Sequence, residues 1–163
     1  MTSYGTADQA LTITLASLGN GAGRESTAVV NSGYDDILIF GRVLVKSGEG
    51  TVASGKHVLV MAYGSVDGTD FSGMTTGTDA AYVAPLGGSV VDTQEAFPFP
   101  SPIGSIKVRE QDVSYKAGPW SLRTAFGEQL PKWWGLVVKN DTGQPLSSVA
   151  GDLAFTWQGV TFS

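Results

Sequence analysis

The chain has 163 residues, 15 Asp+Glu against 10 Lys+Arg, a formal net charge of −5, no cysteine and one histidine, His57. That length supports one domain with a full core, and the missing thiols exclude a disulfide framework and a thiolate metal site. So few cations suit a phosphate backbone poorly, and no run nears the roughly 18 apolar residues of a membrane span, so neither nucleic acid nor membrane is an expected partner.

The start, Met1-Thr2-Ser3-Tyr4-Gly5, has neither a basic region nor an apolar run of leader length. The expectation is a chain not exported by a standard signal and made in the cytoplasm. Residues 1–10 are small and polar, and read as an N-terminal arm ahead of a single domain over 11–163. Leu11, Ile13 and Leu15 alternate with threonines, the period of a half-buried strand. Leu18 to Gly23 reads as a loop, and Ser26 to Asn31 as a second strand centred on Val29 and Val30. Asp36 to Lys46 is a long strand, with Ile37, Ile39, Gly41, Val43 and Val45 on one face. Lys56 to Tyr63 is the next, ending at the Asp67-Gly68 turn signal.

Residues 65–89 are rich in Gly, Thr and Asp, and Phe71 and Tyr82 are the side chains expected to pin this excursion to the body. Ser89–Thr93 reads as a short strand. The prolines at 98, 100 and 102 exclude a central strand there, because each removes a ladder donor. Ile106 and Val108 alternate with Lys107 and Arg109. A single helical turn is expected within Trp120–Leu130, with Ser121 as N-cap and Gly127 and Pro131 as stops. Trp133–Lys139 and Leu153–Trp157 complete the strands. Roughly eight strands without a long helix give an all-β, single-domain antiparallel β-sandwich, and the long excursions favour a jelly-roll-like order.

Two strands are apolar on both faces. Leu38, Phe40 and Leu44 lie opposite the core-facing set of the first. In the second, Leu59, Met61 and Tyr63 lie opposite Val58, Val60 and Ala62. A sandwich strand needs only one apolar face. Either a loop such as 65–89 covers the other, or these residues form a subunit interface. Arg24 and Glu25, in the loop-to-strand turn, are expected to pair or to face a partner.

Reaction chemistry finds no footing. Gly19 to Ser26 lacks the Gly-Lys-Ser/Thr of a phosphate loop and leads into a strand instead of a helix. His57 has no nucleophile signature near it. The carboxylates Asp35, Asp36, Asp67, Asp70, Asp79, Asp92 and Glu95 all sit in turn-like contexts. Asp67, Asp70 and Asp79 have oxygen ligands for calcium but not EF-hand spacing. No catalytic residue, cofactor or metal is expected. Trp120, Trp133, Trp134 and Trp157 are the best ligand-like signal, since exposed indoles stack sugars. Adjacent Trp133 and Trp134 must point to opposite faces, however, so one of them belongs to the core. Asn140-Asp141-Thr142 has the form of a glycosylation acceptor and reads as a turn.

Three runs, Leu18 to Ser26, Val60 to Gly68 and Leu130 to Asn140, resemble a family of small tailed-bacteriophage virion proteins, and the similarity extends over most of the chain from about Leu11. Its motifs are structural. The resemblance implies a non-enzymatic particle component. By analogy of size and fold it implies a capsid cement or decoration protein that stabilises the outer head surface. The partners it implies are further copies of itself, as a homotrimer, and a major capsid protein, with assembly in the bacterial cytoplasm. A low charge content, 15% against about 25% in typical domains, suits a protein packed against neighbours. A tail, baseplate or head-fibre component, or a carbohydrate-binding module, remains the alternative.

Overall fold

The computed structural model describes residues 1–46, 52, 56–83 and 100–163. Two antiparallel sheets pack face to face as an all-β sandwich. The strands are β1 (Thr2–Tyr4), β2 (Gln9–Ala10), β3 (Gly23–Glu25), β4 (Val29–Val30), β5 (Asp36–Leu44) and β6 (His57–Ser65). They continue with β7 (Ala80–Tyr82), β8 (Ser101–Lys107), β9 (Ser114–Ser121), β10 (Trp133–Asp141) and β11 (Ala154–Phe162). Sheet one runs β1-β11-β5-β9, with β2 also on β11. Sheet two runs β7-β3-β10-β6-β8, with β4 also on β10.

Period-two alternation places the core. Ile37, Ile39, Val43 and Val45 of sheet one face Val58, Val60, Ala62, Trp134, Leu136 and Val138 of sheet two. Trp134 meets Trp157 edge to face at 5.5 Å between ring centroids, across the middle of the sandwich. Between the β9 and β8 edges, the Trp120 ring lies against Gly104, where any side chain would collide with it.

The ten N-terminal residues lie along β11, through β1 and β2. Leu11–Leu15 keeps the expected burial alternation but forms no ladder. Leu11 donates its N–H to Phe155 in sheet one, while Thr12 accepts from Thr27 beside sheet two. The segment crosses between sheets, so its backbone groups are divided between them. The strand expected over Ser26–Asn31 is likewise broken. β3 begins earlier, at Gly23, and between the pairs Glu25–Val137 and Val29–Trp134 three residues of this segment face two of β10, which makes a bulge. There the Ser26 hydroxyl accepts the N–H of Leu136, and the Tyr63 hydroxyl donates to the Ser26 carbonyl.

Pro102 lies in edge strand β8, beside a register shift opposite Val60 and Met61. The helical turn α1 spans Arg123–Phe126, and its N-cap is Leu122 instead of Ser121. The Ser121 hydroxyl still accepts the N–H of Arg123 and donates to Asp36. The strand expected at Ser89–Thr93 lies outside the described residues, as do Asp92 and Glu95.

Candidate functional site

The two sheets treat their outer faces differently. On sheet two, Tyr63 and Val137 are fully buried although both point away from the sandwich core. The chain between β6 and β7 folds back over them. Phe71 meets Tyr63 edge to face at 5.7 Å, and Met61, Tyr82 and Trp133 close the cluster. The loop can lie flat because glycines touch the rings. A Cβ on Gly77 (φ +71°) would stand 2.5 Å from the Phe71 ring, and one on Gly68 (φ +85°) 2.8 Å from Trp133.

Polar clasps hold this cover down. Glu25 is 1% exposed, and its carboxylate accepts from the N–H and hydroxyl of Thr76 at 2.7 and 3.0 Å. Arg24 pairs with Asp79 at 2.6 Å, and Asp79 also accepts from Thr14. Burial disfavours the Asp79 charge, but the bonds from Arg24 and Thr14 outweigh it and hold the carboxyl below its ordinary range. Burial pushes the Tyr63 phenol well above its usual value, so it stays a hydroxyl donor. Backbone N–H groups of Thr69 and Asp70 hold Asp67 well below the usual carboxylate range, as the acceptor of a tight turn.

Four of the residues singled out from sequence are therefore engaged within the chain: Tyr63 and Met61 by packing, Arg24 and Glu25 by the clasps. Leu59 sits apart, half-buried in a shallow hollow with His57, Ser105 and Lys107. His57 lies in register between Asp141 and Lys107, and its imidazole forms no hydrogen bond or ion pair with either side chain. The pieces of a nucleophile, base and orienting acid are not assembled there.

Sheet one carries no such cover among the described residues. Leu38, Phe40 and Leu44 stand half-buried along the outer face of β5. Beside them opens a trough of about 470 Å³, bounded by Phe40, Arg42, Lys116, Asp8, Ala154 and Thr156. Arg42 and Lys116 face each other across β5 and β9. A 2.6 Å bond from Arg42 Nη2 to the Gly151 carbonyl fixes the guanidinium, and neither cation forms an ion pair among the described residues. Gly118 (φ +109°) forms part of the rim. A Cβ there would stand 2.5 Å from the Ile39 carbonyl oxygen, so position 118 has no room for a side chain.

None of the four tryptophans is exposed. Trp134 and Trp157 are core, Trp133 lies under the loop, and Trp120 is half-buried. Asn140 is buried, and its amide donates to the Leu18 and Gln144 carbonyls, which organises the turn. No group of three or more His, Asp or Glu among the described residues can hold a metal ion. Sequence reasoning missed the trough because the stretch from 111 to 119 carries no clear period-two apolar signal. It missed Thr76 and Thr14 because their partners lie 51 and 65 residues away.

Comparison of the chain with protein-family models, with curated proteins and with solved structures finds no match.

Proposed function

We propose that the chain is a non-enzymatic structural component of a tailed-phage particle, which uses the bare face of sheet one to pack against further copies of itself. In this reading it is a cement protein, a homotrimer seated on the major capsid protein at the outer head surface. The observation that carries it is the half-buried row Leu38, Phe40 and Leu44 on a sheet face left open, in a chain that covers the equivalent face of its other sheet. An isolated apolar residue on a surface is ordinary, whereas a row beside a trough is the pattern of an interaction surface.

The strand order supports the fold half of the reading. With β1 and β2 taken as one strand, β3 and β4 as one, and β7 as an addition, sheet one reads first-eighth-third-sixth. Sheet two reads second-seventh-fourth-fifth. That interleaving is how two Greek keys wrap into a jelly roll. The core positions of Trp134 and Trp157, and the loop packed on the half-buried Trp133, weigh against the sugar-binding alternative, which needs an open indole face.

The test is co-sedimentation of the purified protein with phage heads that lack it. Saturable binding to the outer surface, with heads that then resist heating better, is the expected result. Absence of binding to heads together with binding to tails would move the protein to the tail-component alternative.

A further inference from the structure

We infer that the trough on sheet one receives the tip between β8 and β9 of a second copy, with Glu110 of that copy seated between Arg42 and Lys116. This rests on the assembly reading above and assigns its contact.

Arg42 and Lys116 are direct cross-strand partners, an arrangement that costs stability when both are charged. Their chain carries a net charge of −5, yet no carboxylate among the described residues bridges them. Asp8 lines the same trough without pairing with either cation. The arrangement is completed by a carboxylate from outside. Arg42 is already held by Gly151, so little rotamer freedom is lost when it binds. Phe40 lies two residues along the same strand face, about 7 Å from Arg42. The occupant therefore needs a carboxylate and an apolar side chain a few ångströms apart.

A ring of three copies joins two different patches of each subunit, because its contacts are heterologous. The complementary patch must then lie elsewhere on this chain. The tip at 109–113 fits. Glu110 is exposed, and its carboxylate makes no hydrogen bond or ion pair among the described residues. Val113, three residues further along the same tip, is an exposed large apolar residue. The tip is braced from within, since the Tyr115 hydroxyl accepts the N–H groups of Arg109 and Glu110. Lys116 lies only three residues beyond Val113, so tip and trough are neighbours on one surface, as a close ring about a threefold axis requires.

A charge-swap cycle tests this by native mass from light scattering coupled to size exclusion. K116E and E110K should each weaken assembly by about tenfold or more in the concentration at which it dissociates, the scale of one lost charge-assisted contact. The double variant K116E/E110K should recover most of that loss. Circular dichroism on the same samples reports folding, which both surface changes should leave intact. An unchanged assembly in either single variant, or a double variant no better than the singles, would overturn the inference while the assembly reading stands. A monomeric wild-type chain would overturn both.

Discussion

The outer faces of β5 and β6 look alike in sequence, each with three large apolar side chains pointing away from the core. In the structure they part. Over β6, the chain supplies its own cover, sealed by Phe71 on Tyr63 and clasped through Glu25–Thr76 and Arg24–Asp79. Over β5, Leu38, Phe40 and Leu44 remain half-buried beside an open trough. An apolar strand face is therefore not evidence of an interface until the rest of the chain has been placed. The uncovered face becomes informative because the covered one shows what this chain does when it satisfies a face alone.

The comparison is most sharply broken by removing the seal. Phe71→Ala should cost about 3 kcal/mol in urea unfolding, as for a buried Phe, because it leaves a cavity over Tyr63. A loss under about 1 kcal/mol would mean that the cover contributes little. Glu25→Ala should cost about 1–3 kcal/mol, since it leaves the Thr76 N–H and hydroxyl without their acceptor. Chemical denaturation measures this, and Trp133 fluorescence should shift red as Gly68 lifts from the ring. By contrast, Phe40→Asp should leave the folded chain within about 1 kcal/mol of wild type, because that side chain is half-exposed in the isolated subunit. A collapse of its circular dichroism spectrum would mean the β5 face is covered from within after all.

Acid gives the smallest effect. Asp79 has its carboxyl held below the ordinary value of 3.8 in the folded chain. Its contribution is full above that value and fades as pH falls through the folded one. The loop over sheet two should loosen on strong acidification before sheet one changes, which amide hydrogen exchange at Thr14 and Thr76 would follow.

Much of this was legible in the sequence. Alternation gave the core faces of β5, β6 and β11, and the adjacency of Trp133 and Trp134 required one to be core. The choice of Phe71 and Tyr82 as pins for the excursion matches their packing in the second cluster. What escaped were long-range polar contacts and broken strands. Leu11–Leu15 has a strand's period, yet its backbone groups are shared between two sheets, and no local pattern encodes that. Ser26 reads as the start of a strand, but it lies in a bulge where its hydroxyl takes the N–H of Leu136. Arg24 and Glu25 gave a charge pair whose true partners, Asp79 and Thr76, lie more than 50 residues away.

The most direct test of the account is the native mass of the wild-type chain beside Phe40→Asp, both checked for folding by circular dichroism. The account predicts a wild-type trimer near three times 17.0 kDa and a folded Phe40→Asp monomer. A wild-type monomer, or a Phe40→Asp chain that stays trimeric, would contradict the claim that the bare face of sheet one is where this protein meets its copies.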